Sequence, residues 1–350
     1  MDKGIKGFKA VKAGLVVRLA DFIRETSSSL PEDAEKALKA ALRREQKGSP
    51  AYTVLETILA NIALARSNGT PVCQDTGTLT FFVDETLRKK VTPEVLGKAV
   101  ALATEKGWLR RNTIESVSGK SIDTNVCSGA PVVHYVPVGN ALNGLNAPNG
   151  LNALNGLNAP NGLNAPNGLN APNGLSAPNG LNAPNGLNAL NGLNGLKSVA
   201  GRGAIRLIMK GGGSENMSAQ FSLPDAALGA GRDLEGVRRA VLAAVQHAQG
   251  FGCAPGILGV CIGGDRASGF EEAKLQLLRA LDDVNADLHL AKLEKRILKE
   301  ANTLGIGPMG LGGKTTLLAV KIGSRPRVPA SFFVTVAYLC WAARRRTLVI

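Results

Sequence analysis

From Asn140 to Leu196 the chain repeats one hexapeptide, Asn-Gly-Leu-Asn-Ala-Pro, with small variations, as at Asn161-Gly162-Leu163-Asn164-Ala165-Pro166 and again at Asn179-Gly180-Leu181-Asn182-Ala183-Pro184. Turn-forming Asn-Gly and helix-breaking Pro return every six residues, and no aromatic or charged residue interrupts them before Lys197. Leu recurs with the same period, which allows a short-period β-solenoid. A tandem expansion forming a solvated, disordered loop is the stronger reading, because a surface loop lengthens at small entropic cost. It would lie between two strands, Val132 to Val136 and Ala204 to Met209. The folded protein must then be built from residues 1–139 and 197–350, two parts of one domain interrupted at 140–196.

Those two parts carry regular patterns. Gly14 to Arg24 and Ala51 to Ala65 place apolar residues at helical spacing, the second through Val54, Leu55, Ile58, Leu59 and Ile62. Ser49-Pro50 and Thr92-Pro93 are helix starts, with a hydroxyl cap followed by proline at the first helical position. Ser29-Leu30-Pro31-Glu32 fits a capping box for another helix. Thr78 to Val83 reads as a strand. Further on, helices are expected over Leu234 to Ala248, Phe270 to Leu281 and Leu288 to Leu304, and strands over Ile257 to Ile262, Leu317 to Ile322 and Phe333 to Leu339. The pattern predicts an α+β fold: a helical N-terminal lead-in, then a mixed αβ domain carrying the low-complexity insertion.

With 350 residues and a hydrophobic share of 44%, the chain has enough material for a sizeable core. No apolar run reaches the ~18 residues that a membrane span needs, and the N-terminus lacks an apolar segment with a cleavage site. Five cysteines and no export signal predict reduced thiols in a cytoplasm. The net charge of +14 attracts anions in general. It is dispersed, however, and its densest cluster is only Arg344-Arg345-Arg346. With aromatics at 4%, stacking platforms for nucleic acid are few. A solvated basic surface is the expectation.

Chemistry concentrates in four segments. Pro71-Val72-Cys73-Gln74-Asp75-Thr76-Gly77-Thr78 places a thiol, an amide, a carboxylate and a glycine on a helix-to-strand connection, where a rigid scaffold presents reactive groups. Lys210-Gly211-Gly212-Gly213-Ser214-Glu215-Asn216 offers bare amides to an anion, with the lysine and serine as further donors. Gly252-Cys253-Ala254-Pro255 precedes a strand. The run Gly305 to Thr315 ends like a phosphate-binding loop, but Pro308 occupies a position where that motif requires glycine, which rejects the nucleotide reading. No Cys-x-x-Cys pair exists, which argues against structural zinc and ferredoxin-type ligation. The thiols could pack in a core, react, or bind metal. Cys127 and Cys261 are assigned to core packing. Cys73, Cys253 and Cys340 sit at or near element ends, and their convergence would suit an iron–sulfur cluster with one iron free of protein ligand.

Taken in order, these four segments closely resemble the class I iron–sulfur fumarases and, equally, the alpha subunits of L-tartrate dehydratases. The likeness runs from about the third helix to Arg345, apart from the hexapeptide insertion. It implies a four-iron four-sulfur (4Fe-4S) cluster held by Cys73, Cys253 and Cys340. It also implies that Gln74, Asp75, Arg110 and the amide of Gly213 contact a dicarboxylate substrate, with Asp75 contributing to proton transfer. Such a chain would be the alpha part of a hydro-lyase that hydrates fumarate reversibly, or of a tartrate or related diacid dehydratase. A beta subunit would complete the active site in a hetero-oligomer, without membrane or nucleic acid. A non-catalytic structural relative is the third possibility, because Val328 stands where family members usually carry a histidine. The segment Asp123 to Pro131 also follows the pattern expected there only loosely.

Overall fold

A computed structural model describes residues 2–137 and 203–350, with side chains from residue 14 onward. The repeat insertion expected at 140–196 lies outside the described residues. Three helices lead in: α1 (Asp2–Ser28), α2 (Glu32–Arg44) and α3 (Pro50–Asn68). Strand β1 (Thr78–Asp84), helix α4 (Pro93–Glu105) and strand β2 (Val132–Val136) complete the part before the repeat. After it come β3 (Ala204–Lys210), the short helix α5 (Gly212–Asn216), β4 (Ala219–Ser222), α6 (Leu234–Ala248) and β5 (Gly256–Gly263). Then follow α7 (Arg266–Gln276), α8 (Leu288–Thr303), β6 (Leu317–Arg325), β7 (Phe333–Leu339) and β8 (Arg345–Val349). The class is α+β, as the sequence pattern predicts.

The strands form two mixed sheets. In the first, ordered β2-β1-β3-β8, β1 runs parallel to β2 and antiparallel to β3, and β8 pairs antiparallel with β3. The strands preceding and following the repeat therefore belong to one sheet, on either side of β1. In the second, ordered β4-β7-β5-β6, β5 runs parallel to β6 and antiparallel to β7.

Side-chain alternation assigns each strand face to a layer. Leu79, Phe81 and Val83 of β1 and Ile205, Leu207 and Met209 of β3 pack with Leu19 and Ile23 of α1 and with Leu96 and Val100 of α4. From the opposite face of that sheet, Phe82 and Ile208 meet Leu38 of α2, Leu55 and Ile62 of α3, and Ile257, Cys261 and Leu339 of the second sheet. The far face of the second sheet, with Leu258, Val260 and Val336, packs on Val241 and Val245 of α6 and on Ile297 of α8. Burial on both faces explains why β1, β3 and β5 read as nearly continuous apolar runs. At Gly259 a Cβ would come within 2.0 Å of the Ala273 carbonyl oxygen, so α7 lies directly on β5.

Local signals act mostly as expected. The Ser49 hydroxyl accepts from the Tyr52 amide at 3.2 Å, and that of Thr92 from the Val95 amide at 3.3 Å. Ser29 does not cap. Helix α1 runs on to Ser28, the Ser29 hydroxyl donates back to the Glu25 carbonyl at 2.7 Å, and α2 starts after Pro31 without a side-chain cap. The basic triplet also departs from a solvated surface. Arg344 and Arg345 are buried, Arg345 donating to Asp33, while Arg346 donates to the Ser29 hydroxyl at 2.8 Å.

Candidate active site

Helix α3 ends at Gly69, which takes the left-handed conformation at φ 63°. The chain is then pinned at Val72, whose amide donates to the Ser27 carbonyl at 2.9 Å and whose carbonyl accepts from the Asn61 side chain at 2.8 Å. Cys73, Gln74 and Asp75 follow, just before β1. Both carboxylate oxygens of Asp75 accept backbone hydrogen bonds: Oδ1 from the Gly77 amide at 2.8 Å, and Oδ2 from the Gly212 amide at 2.7 Å. Asp75 thus does more than close its own turn, because it ties the cysteine loop to the start of α5. Gly77 permits this approach. Its φ is 74°, and a Cβ there would stand 2.5 Å from the Lys210 carbonyl oxygen.

Arg110 is fixed through its backbone. The Thr76 hydroxyl donates to the Arg110 carbonyl at 2.8 Å and accepts from the Arg110 amide at 2.9 Å. Asn125, buried at a left-handed φ of 56°, completes the brace. Its side chain donates to the Arg110 carbonyl at 2.8 Å and accepts from the Asn112 and Thr113 amides at 3.1 and 3.0 Å. The Arg110 guanidinium is exposed and has no hydrogen-bond or ion-pair partner among the described residues. Asp75, Gly77, Asn112, Asn125 and Gly212 line a cleft of about 260 Å³ between these segments.

The second thiol comes from the α6–β5 connection. Cys253 itself holds a positive φ of 55°. Gly252 before it lies against the Tyr338 ring, where a Cβ would meet ring carbon at 2.5 Å. The Gly305–Thr315 run braces this turn through the Met309 amide, which donates to the Ala254 carbonyl at 2.9 Å. Cys340 follows β7, and the next amide, that of Trp341, donates to the Cys253 carbonyl at 3.2 Å. Cys73 and Cys253, both half-buried, pack against the core cluster that contains Cys340.

Burial pushes the Cys253 thiol up, and the neighbouring Cys340, Cys73 and Asp75 add to that rise. Burial also pushes Cys340 up, against the pull of the Arg344 charge and a hydrogen bond with Ser214. The two cysteines assigned to core packing separate. Cys261 is buried, its thiol pushed up to about 12 by burial and Glu272, whereas Cys127 is exposed, contrary to expectation.

Among the described residues no group of three or more His, Cys, Asp or Glu side chains could hold a metal ion. A cubane cluster makes a different demand, because its cysteine-bound irons occupy separate corners and its thiolates surround a space instead of converging on a point. Cys73, Cys253 and Cys340 are free, with no bond or hydrogen bond between any two, and within electrostatic reach of one another. Beside them lies a buried guanidinium, that of Arg344, with Nε and Nη2 unpartnered. Three thiols and an unpaired cation fit an anionic cluster.

The glycine-rich segment differs from its expected form. Gly212 to Asn216 is a short helix, with Gly212 and Gly213 exposed at its start. Lys210 does not present its ammonium to an anion. It is fully buried, with Nζ donating to Glu215 and to the Ser218 hydroxyl, each at 2.9 Å. Ser214 faces Cys340. Gln74 is exposed beside Cys73, and Val328 is 65% exposed at a separate cleft of about 470 Å³ lined by Arg325, Arg327 and Ser331. Sequence reasoning missed Arg344 and Asn125, and named Ser214 only as a donor to an anion, not as a neighbour of Cys340. Arg344 carried no signal separating it from Arg345 and Arg346. Asn125 had one, as a residue that tolerates positive φ beside Gly129-Ala130-Pro131.

Comparison with known proteins identifies the lineage. The family described as fumarate hydratase (Fumerase) matches residues 17–150 and 197–349. A Geobacillus stearothermophilus protein, provisionally named a class I fumarate hydratase, is 39% identical over 328 residues, which cover 92% of this chain and 52% of that protein. This chain thus spans about half the length of that relative. A Methanocaldococcus jannaschii protein, provisionally named an L(+)-tartrate dehydratase subunit alpha, is 28% identical over 93% of this chain and 94% of its own length. The L(+)-tartrate dehydratase subunit alpha of Escherichia coli O157:H7 is 26% identical over 95% of this chain and 89% of its own length. The chain belongs to the fumarate hydratase (Fumerase) family.

Proposed function

We propose that this member of the fumarate hydratase family is the alpha part of an iron–sulfur hydro-lyase that interconverts fumarate and malate. The observation that carries the reading is that Cys73 and Cys253 pack against the core cluster containing Cys340, with Asp75 near Cys253 and a buried guanidinium that has two unpartnered nitrogens near Cys340. Those cysteines would hold a 4Fe-4S cluster, and when bound, its iron without a cysteine supplies a Lewis acid for the departing or entering hydroxyl.

The chain's own residues do the remaining work. Arg110, with a braced backbone and a free exposed guanidinium, is suited to a bidentate grip on a substrate carboxylate. Gln74 and the Gly213 amide, both exposed, would orient the other end of the diacid. The proton removed lies beside a carboxylate, so the charge developing there needs fixed donors. Asp75, held by the Gly77 and Gly212 amides, keeps those donors in register and contributes to proton transfer.

A partner is part of the proposal. The chain covers 52% of the Geobacillus protein and 94% of the Methanocaldococcus alpha subunit, so an alpha part also exists as a separate chain among its relatives. We propose that a beta subunit contributes to the active site in a hetero-oligomer, in the cytoplasm. Among the described residues no helix is long and apolar enough to cross a membrane. Two other readings have support. The alpha-subunit relatives favour L-tartrate or a related diacid as substrate, and Val328 in place of the family histidine favours a relative without activity.

The first test is iron and acid-labile sulfide content of protein prepared without oxygen, beside its Cys73→Ser, Cys253→Ser and Cys340→Ser variants. Loss of the cluster in each variant is expected, with Cys261→Ala unchanged. Hydration of fumarate and dehydration of tartrate by the chain with a beta partner then separate the substrates. A reconstituted pair with an intact cluster and neither activity would overturn the enzyme reading.

A further inference from the structure

Among the described residues two arginines are no more than 2% exposed, and their surroundings differ. Arg279, 2% exposed, directs its donors to Asp283, Glu294 and the Gln276 side chain. Arg344, 1% exposed, has only Nη1 engaged, donating to the Asp75 carbonyl at 2.7 Å and to the Thr76 carbonyl at 3.2 Å. Its Nε and Nη2 find no acceptor, and no carboxylate pairs with it among the described residues. Sealing an unpaired cation away from water is costly unless an anion completes the site.

The position of those free donors narrows what the anion is. Nη2 lies 3.9 Å from where a Cβ on Gly211 would be, a point that Asp75 Oδ2 approaches to 2.9 Å. The charge of Arg344 also acts on the Cys340 thiol. A Cβ at Gly211 would crowd Asp75 Oδ2, so glycine is what lets the Asp75 carboxylate approach this backbone. The free donors therefore stand between the cysteine loop, Cys340 and the start of α5.

Resting on the reading of Cys73, Cys253 and Cys340 as cluster ligands, we propose that Arg344 is a positioning residue for the cluster. Its Nε and Nη2 groups donate to the sulfurs of that anionic guest, while Nη1 holds the Asp75–Thr76 backbone at a fixed distance from it. Three thiolates bring three negative charges, and hydrogen bonds to sulfur together with local charge tune a cluster's reduction potential. One side chain would thus couple the metal site to the loop that carries Gln74 and Asp75.

The test compares the full chain with its Arg344→Gln, Arg344→Lys and Arg346→Gln variants, each reconstituted anaerobically with iron and sulfide. Iron and sulfide content, the rate of iron loss to a chelator, the reduction potential followed by electron paramagnetic resonance, and the melting of cluster-free protein are read. Arg344→Gln is expected to load, to lose iron about tenfold faster as charge-assisted hydrogen bonds are removed, and to have a lower potential. Arg344→Lys keeps the charge without the fork, so its potential stays near that of the unsubstituted chain while its iron loss is faster. Arg346→Gln behaves like the unsubstituted chain. Equal potential and iron retention in Arg344→Gln would overturn the proposal. If that variant does not fold, unchanged iron retention in Arg344→Lys would do the same. An unsubstituted chain that takes up no iron and sulfide removes the cluster reading itself, and this proposal with it.

Discussion

Replacing Gly77 with alanine tests whether the cysteine loop and the glycine-rich segment are locked together by backbone contact. Gly77 has φ 74°, and its Cβ would stand 2.5 Å from the Lys210 carbonyl oxygen, 2.6 Å from the Lys210 carbonyl carbon and 2.8 Å from the Gly211 nitrogen. None of these is the end of a flexible side chain, so the strands must part. Thr78 and Lys210 are paired residues of β1 and β3, which leaves little slack. The left-handed backbone costs an L residue about 1–2 kcal/mol, and forced overlap in a packed region adds about 1–3 kcal/mol. A total of about 2–5 kcal/mol is expected. Gly69→Ala is the control, because Gly69 has φ 63° with nothing within 4 Å of its Cβ, so only the conformational part applies. Urea unfolding of both variants should give Gly77→Ala the larger loss by about 1–3 kcal/mol. Asp75 bonds both the Gly77 and Gly212 amides, so this substitution should also reduce iron retention after reconstitution. Losses equal within about 0.5 kcal/mol, the usual scatter for unremarkable surface sites, would refute the close-approach argument.

Three further outcomes are expected. Asp84→Ala leaves the buried Arg206 guanidinium without its carboxylate, which stands 2.7 Å away, and removes the acceptor of the Ala204 amide; urea unfolding should show a loss of about 3–5 kcal/mol, largely recovered in Asp84→Ala/Arg206→Met. Lys210 is depressed to about 8 by burial, against the pull of Glu215. An unfolded lysine keeps its proton to about pH 10.4, so the penalty is complete below pH 8 and is relieved as pH rises towards 10. The unsubstituted chain should therefore gain stability relative to Lys210→Met across that interval, and a constant difference between the two would count against it. Val328→His, assayed with the beta partner, should raise fumarate hydration by on the order of tenfold, the worth of one hydrogen bond to a charged carboxylate, where a substrate contact has been lost at that position; no change would favour a pocket that works without that group.

What was legible in the sequence was local. Ser49-Pro50 and Thr92-Pro93 start helices because hydroxyl, proline and first-turn amides all lie within four residues of one another. Leu234–Ala248 and Phe333–Leu339 have the bounds that their periodicity implies. Ser29 misled because serine three residues before glutamate suits the end of one helix as well as the start of the next, and α1 claimed its hydroxyl. Strands β4 and β8 went unread for another reason. Among the described residues both lie at sheet edges, β4 pairing with β7 and β8 with β3, so partners distant in sequence define them.

The same division runs through the candidate site. Cys73, Gln74 and Asp75 stand out as a short loop of unlike functional groups, and Cys253 marks the turn into β5. Their grouping with Cys340 depends on the Trp341 amide reaching the Cys253 carbonyl and on a core that joins both sheets. Lys210 and Arg344 invert their surface appearance. Lysine beside three glycines looks like an anion binder, yet burial turns it towards Glu215 and Ser218, where it fastens α5 in place. Arginine in a basic triplet looks like solvated charge, yet pairing of β8 with β3 draws Arg344 inside, where the chain offers it only two backbone carbonyls. A buried charge so incompletely satisfied is costly for stability alone and makes sense beside an anion. It is therefore the cation the sequence hid, more than the lysine it displayed, that ties the cysteine loop to the chemistry expected there.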